Sequence, residues 1–325
     1  MRPSIIRFMG VAGFPILVLS GLEATAQSYP TKPIRLILPQ AAGGGGDISA
    51  RVIAQKLSEA IGQQVVVENR PGAGGIVGVD AAAKSAADGY TFVFGTNTTM
   101  AANISLYSKL PFDPVKDFTP LAMAFAAHYA FVVHPSVPAN NLKELVALAK
   151  AKPGQLNYGS GTSSAQICME MLKSMAGVDI TMVPYKSIAQ SMTDLIAGTL
   201  QIGCEPLLTA MPNAKVGKLR ALAGPSPKRT GLAPELPTAA EAGFPGLEYV
   251  AWIGFFAPAG TPADRVNKLS GELLKVLRQP DTLDKFKGFG FEPMVAGPEE
   301  LGAFQKTEIS RSAKVVKEAG IAKIE

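Results

Sequence analysis

Histidine and cysteine are almost missing from this 325-residue chain, with two of each. That scarcity removes several kinds of chemistry. His128 and His134 lie around one expected strand, and no cysteine or carboxylate stands beside them at ligand spacing, so no metal site is expected. A serine triad needs a base, and neither histidine neighbours a nucleophile elbow. The stretch Gly159-Ser160-Gly161-Thr162 lacks the G-x-S-x-G spacing. Nothing argues for an enzyme, and no cofactor is expected. Cys168 falls in a helical pattern and Cys204 at a strand end. Two cysteines are not a framework. Buried free thiols are the favoured reading, and a single bridge is the rival.

Charge of one sign is also scarce. The chain has 31 Lys+Arg against 26 Asp+Glu, a net charge of +5 without a clustered basic run, so nucleic acid is a poor partner. Long apolar runs are confined to the beginning. Arg2 and Arg7 precede an apolar stretch from Phe8 to Leu22, and Ala24-Thr25-Ala26 follows. This is the three-part layout of a secretory signal, residues 1–26, with cleavage before Gln27. The stretch falls short of the roughly 20 residues needed to span a bilayer. No lipobox cysteine lies near the site. Cleavage removes Arg2, Arg7 and Glu23, so +5 becomes +4. A weak positive charge is compatible with an anionic ligand. The remaining chain exceeds the size at which one core usually splits, so two lobes are expected.

Strands and helices alternate along the chain. Strands are expected at Ile34–Leu38, Val65–Glu68 and Thr91–Phe94, with helices at about 48–61 and 77–86 between them. This βαβαβ order predicts a mostly parallel, doubly wound sheet. A second α/β unit begins after Phe118. Its strands are expected at 131–133, 156–158, 181–184 and 200–204, and its helices at 142–150, 165–176 and 189–197. Helices near 265–278, 282–288 and 299–318 form a tail. Proline clusters at 224–227 and 234–245 mark long connections.

Two loops carry the functional signal. Ala41-Ala42-Gly43-Gly44-Gly45-Gly46-Asp47 joins a strand to a helix. Glycines expose backbone N–H groups, and the helix start adds the positive end of its dipole, which makes an anion site. The contiguous glycines differ from a dinucleotide fingerprint, and Asp47 would repel a pyrophosphate. Asp47 can instead cap the helix. Gly159-Ser160-Gly161-Thr162-Ser163-Ser164-Ala165-Gln166 repeats the arrangement in the second unit, and Gly95-Thr96-Asn97-Thr98-Thr99 ends a strand on the same expected edge. Ligands of open α/β sheets gather at the carboxyl ends of strands. One such loop per lobe could grip a carboxylate from both sides when the lobes close.

Several motifs in order resemble the Bug family, the periplasmic receptors of tripartite tricarboxylate transporters. They include Tyr29-Pro30-Thr31-Lys32-Pro33-Ile34-Arg35, Glu68-Asn69-Arg70-Pro71-Gly72-Ala73-Gly74-Gly75 and Asp88-Gly89-Tyr90-Thr91. Leu110-Pro111-Phe112-Asp113-Pro114, Val183-Pro184-Tyr185-Lys186, Gly217-Lys218-Leu219-Arg220 and Phe256-Ala257-Pro258-Ala259-Gly260-Thr261-Pro262 continue the series.

The resemblance implies an α/β, type II-like periplasmic binding protein with the ligand cleft between two lobes. The chain would cross between lobes twice, with lobe one at 27–127 plus 253–325 and lobe two at 128–252. It implies a monomer that captures a small carboxylate, a dicarboxylate or an aromatic acid, for membrane transporter subunits. The rival is a sensory receptor reporting to a membrane kinase, and an exported hydrolase stands further off. Family members hold a carboxylate through the first Gly loop, often with ordered waters. That carries onto Gln40, Ala42, Gly43, Gly44 and Asp47, onto Thr96, Asn97 and Thr98, and onto Ser160, Gly161, Thr162, Ser163, Ser164 and Gln166. Tyr185, in a shared motif, is counted with these ligand-binding residues. This chain departs from the family at Gln40-Ala41-Ala42, where an aromatic and a proline are usual, and at Glu205, where an aspartate is usual. Glu205 would meet a ligand amine or hydroxyl, or face solvent.

Overall fold

The computed structural model describes residues 29–325 apart from Gly44, Lys186, Ala319 and Ala322, and of Ser163 only the backbone. The expected signal segment and its cleavage site lie outside the described residues. Two sheets organise the rest. The first takes β1 (Ile34–Leu38), β2 (Val65–Asn69), β3 (Thr91–Thr96), β4 (Phe118–Ala127), β10 (Ala251–Pro258) and β11 (Phe291–Ala296), in the order β11-β4-β10-β3-β1-β2. The second takes β5 (Tyr129–Val133), β6 (Asn157–Ser160), β7 (Thr181–Pro184), β8 (Ile202–Pro206) and β9 (Arg220–Ala223), in the order β7-β6-β8-β5-β9. The chain therefore passes between the sheets twice, from β4 to β5 and from β9 to β10.

Helices cover both faces of each sheet. On the first sheet, α1 (Gly45–Ile61) and α8 (Ala263–Leu277) pack Ile53, Leu57, Leu269 and Leu273 against one face. The opposite face meets α2 (Ile76–Ala83) and α10 (Pro298–Glu318) through Val79 and Leu301, while Phe286 of α9 (Pro280–Gly288) packs on the α1 and α8 side and Leu106 of the short α3 (Asn103–Leu106) enters the core of the second sheet. On the second sheet, α4 (Leu142–Ala151) and α5 (Ser163–Ala176) bury Leu145, Cys168 and Leu172. Its other face receives Met192 and Leu195 of α6 (Ile188–Ile196) and Leu207 of α7 (Leu207–Lys215). Coverage on both sides explains why β3, β5 and β10 read as unbroken apolar runs. The far end of α10 sends Val316 into the core of the second sheet, so one helix braces both units.

The sheets are mixed rather than mostly parallel. β1 runs parallel to β2 and β3, but β10 is antiparallel to β3 and β4, and β11 is antiparallel to β4. In the second sheet β6 is parallel to β7 and β8, and β5 is antiparallel to β8 and β9. The strands that change the count, β4, β9, β10 and β11, have no counterpart in the sequence reading. Residues 121–127, Leu-Ala-Met-Ala-Phe-Ala-Ala, carry no alternation, and a short buried apolar run reads equally as helix.

The cysteines also correct an expectation. Cys168 of α5 and Cys204 of β8 are both fully buried and form a disulfide, with 6.2 Å between their Cα atoms. Buried free thiols are thereby replaced by the rival bridge.

His128, between β4 and β5, sits at one crossing. Its Nδ1 lies 2.9 Å from the Ser226 hydroxyl and its Nε2 3.1 Å from Glu292 of β11. Glu292 also accepts from the Thr230 hydroxyl and, at 3.0 Å, from the Gly231 N–H. This histidine is structural: it ties the connection after β9 to the edge of the first sheet. Among the described residues, no group of three His, Cys, Asp or Glu side chains is placed to hold a metal.

Candidate ligand-binding site

The loop from β1 to α1 is built around its own carboxylate. Gly43 takes a positive φ of 83°, a conformation that glycine adopts without strain. Its N–H donates to Asp47 Oδ2 at 3.0 Å. Arg51, one turn along α1, donates Nε–H to the same oxygen at 3.0 Å. Asn69, the last residue of β2, donates to Asp47 Oδ1 at 2.9 Å and to the Gln40 carbonyl at 3.1 Å. Arg51 pairs with Asp47 Oδ1 and donates to Asn69 Oδ1, both at 3.0 Å. The Arg51 bond, helped by those from Gly43 and Asn69, holds the Asp47 carboxyl down at about 2 despite its burial. Both Asp47 oxygens are thus engaged within the protein. The residue pins the loop from inside the first turn of α1 rather than capping it from outside. The Gln40 side chain fills the space that a Cβ on Gly46 would need, while Ala41, Ala42 and Gly43 are exposed.

The loop from β6 to α5 is built differently. Thr162 is the N-cap, and its hydroxyl accepts the Ala165 N–H at 3.3 Å. Ser160 donates to the Thr162 carbonyl at 3.2 Å. Gly161 presses on the backbone that enters α6: a Cβ there would stand 2.5 Å from the carbonyl of Ser187. Ser164, 5% exposed, lies 3.1 Å from the Thr98 hydroxyl, where the end of β3 meets the start of α5. Gln166 is half-buried one turn further on. Tyr185 spends its hydroxyl on Asp194 of α6 at 2.5 Å.

The segment after β3 completes the junction. The Thr96 N–H donates to the Thr99 hydroxyl at 3.1 Å, closing a turn that runs into a wide-pitched helical turn at Thr98–Ala102. Such turns are common at functional sites. Asn97 is buried and donates to the Tyr249 hydroxyl at 2.5 Å; its Oδ1 has no partner among the described residues. Tyr249 packs edge-on against Tyr129 at 5.6 Å. Burial pushes both phenols up, Tyr129 to about 12, against smaller downward pulls from Ser164.

Glu205 lies beside this junction, on β8 next to the bridged Cys204. It is 2% exposed, and no side chain donates to its carboxylate among the described hydrogen bonds. Burial pushes its carboxyl up to about 8. Solvent exposure, one of the two expectations for this residue, is overturned.

The structure therefore joins Thr98 to Ser164 and links Asn97 to them through the tyrosines. Among the described residues, no hydrogen bond joins Gln40 or Asp47 to any residue from Ser160 to Gln166. The second unit approaches the first loop through Leu208 of α7, whose Cδ2 would lie 3.7 Å from a Cβ on Gly45. Asn69, Tyr129, Tyr249 and Leu208 are absent from the sequence reading. Only Asn69 carried a signal, as part of Glu68-Asn69-Arg70-Pro71-Gly72.

Two mixed α/β units, joined twice and meeting at strand ends lined by glycine and hydroxyl side chains, define a solute-binding protein. Comparisons with known proteins agree. The family described as the tripartite tricarboxylate transporter family receptor matches residues 49–321. Protein BugT of Bordetella pertussis is 34% identical over 97% of this chain and 98% of its own length. The structure of R. palustris Rpa4515 with adipate superposes with a TM-score of 0.85 at 36% identity, covering 91% of this chain and 100% of that one. MatC (Rpa3494) from Rhodopseudomonas palustris with bound malate gives a TM-score of 0.80 at 30% identity, covering 89% and 100%. The chain belongs to the tripartite tricarboxylate transporter receptor family, the Bug proteins, and is a binding receptor rather than an enzyme.

Proposed function

We propose that this receptor is exported to the periplasm through residues 1–26 and captures a small dicarboxylate for a membrane transporter. Lobe one comprises 27–127 plus 253–325, and lobe two comprises 128–252. The ligand lies between the strand ends of the two lobes. One of its carboxylates meets the start of α1, behind the Gly43–Gly44 loop, and the Thr96–Thr98 segment. The loop Ser160 to Gln166, at the start of α5, closes on it from the other side.

The observation that carries this reading is the pairing of two strand-to-helix loops, one per sheet, with Thr98 and Ser164 touching across the junction at 3.1 Å. Each helix start has N–H groups without intrahelical partners and a favourable dipole for an anion. Relatives bound to adipate and malate put dicarboxylates ahead of aromatic acids. The test is a titration of the mature protein with mono-, di- and aromatic carboxylates at neutral pH, read by calorimetry and melting temperature. A dicarboxylate should raise the melting temperature, since a ligand at a hundredfold its Kd adds about 2.7 kcal/mol. Gly161→Val, which drives a side chain into the Ser187 backbone, should weaken binding at least tenfold. No shift with any carboxylate overturns the proposal.

A further inference from the structure

The buried Glu205 has a chemistry that its position makes useful. β6 runs parallel to β8 with Tyr158 level with Ile202. Extending that register by two residues carries β6 to its end at Ser160 and β8 to Cys204, so Glu205 follows on the edge from which Gly161 opens the loop to α5. On its other side β8 pairs Glu205 with Ala130 of β5, beside Tyr129. Gly203 makes room for the carboxyl group: a Cβ there would stand 3.0 Å from Glu205 Oε1 and 3.0 Å from the Leu195 side chain. The residue is 2% exposed, and no described side chain neutralises it. The charged and titratable groups of the packed elements are few. β5 has Tyr129, held protonated by burial, and β6 has Tyr158, also pushed up by burial. α6 has Asp194, bonded to Tyr185; α5 has Glu170 and Lys173, paired at 2.8 Å; and α7 has only Lys215 in its last turn.

We propose that Glu205 stays protonated in the resting receptor and donates its O–H to the bound carboxylate, making this side chain the selector for an anionic ligand group. A buried carboxyl without a cation partner favours its neutral form, and the upward push to about 8 agrees. In that form it is a hydrogen-bond donor, and an anion arriving beside it strengthens the bond. Once ionised, the same group repels the ligand. The longer glutamate, where the family usually has an aspartate, lays this donor over Gly203 beside the Leu195 side chain. The inference rests on the carboxylate-binding reading and adds a pH dependence to it.

The probes are adipate and malate, both fully ionised above about pH 6.5, so the protein alone titrates. Calorimetry with wild type should show affinity constant from pH 6.5 to 7 and about tenfold weaker at pH 9 than at pH 7, following linkage to a single proton. Glu205→Gln keeps the size and an N–H donor. It should bind within about threefold of wild type at pH 7 and lose the fall at pH 9. Glu205→Ala should bind at least tenfold more weakly at both values while keeping a cooperative melt. Wild-type affinity that is flat to pH 9, or that rises with pH as an ammonium ligand would require, overturns the inference and leaves carboxylate binding standing or redirected. A Gln variant that fails to bind although it melts cooperatively also overturns it. Absence of binding to either probe at every pH overturns the carboxylate reading and this inference with it.

Discussion

The two strand-to-helix loops look alike in sequence and differ in their electrostatics. In the first, Gly43, Arg51 and Asn69 satisfy Asp47, and the loop arrives at the cleft already neutralised. In the second, a threonine cap and two serines organise the helix start, and the buried Glu205 of β8 has no described donor. The first loop is a rigid backbone cradle whose charge has been consumed. The second is the side on which side-chain chemistry can discriminate. A carboxylate near the proposed anion site is therefore no contradiction. Asp47 is harmless because its field is closed by Arg51, and Glu205 is harmless because burial keeps it protonated.

The comparison can be broken in several places, and one of the two largest effects should come from the disulfide. Cys168 and Cys204 are 36 residues apart, and the chain-entropy model gives about 4 kcal/mol for a loop of that length. Cys168→Ala with Cys204→Ala, or reduction, should lower the unfolding free energy in urea by that order. Hydrogen exchange should quicken around Ser160 to Gln166 and stay unchanged around Gly43 to Asp47. Equal quickening in both loops would remove the distinction.

pH separates the two carboxyl groups next. Glu205 has its folded value raised from 4.5 to about 8. Its contribution to stability is full below 4.5 and is lost as pH rises through 8, by at most about 1.4 kcal/mol per unit. Asp47 has its folded value lowered from 3.8 to about 2. Its contribution is full above 3.8 and is lost as pH falls through 2. Urea midpoints of wild type and Glu205→Gln, measured from pH 4.5 to 8, should diverge steadily in favour of the variant. Parallel curves would show that Glu205 is ionised in the fold.

Removing Asp47 should be the next largest change. Asp47→Ala strands the Gly43 N–H and loosens Arg51 and Asn69, at about 2 kcal/mol, a figure reduced because Arg51 is half exposed. The loss should be visible in chemical unfolding, and Asp47→Asn should recover part of it. Smallest of all, Thr98→Ala removes the hydroxyl contact to Ser164 and should cost less than about 1 kcal/mol. Its effect belongs to the balance of open and closed forms, measurable by small-angle scattering with and without adipate.

Much of the fold was legible because period and punctuation agree. Ile34–Leu38 is aliphatic, followed by a turn and an amphipathic helix, and its strand stands at those residues. The failures share one cause. β4 and β10 are buried on both faces, so they carry no alternation to distinguish strand from helix, and their antiparallel pairing depends on partners more than a hundred residues away. The two strand-to-helix loops were legible from glycine and hydroxyl composition. The tyrosine pair was not, because Tyr129 and Tyr249 are 120 residues apart and each is an ordinary apolar-segment residue on its own. The disulfide was undecidable for the same reason: helix and strand each place one sulfur, and only their packing sets the distance.

By itself the sequence determined the family, the two-unit α/β organisation and the two glycine- and serine-rich loops, because local backbone freedom and helix-start chemistry are written in neighbouring residues. Only the tertiary structure decided what the acidic groups are. Asp47 became a neutralised brace when Asn69 and Arg51 closed around it, and Glu205 became a buried acid when β5, β6 and α6 sealed it from water. Charge state depends on surroundings, and surroundings are assembled from distant parts of the chain.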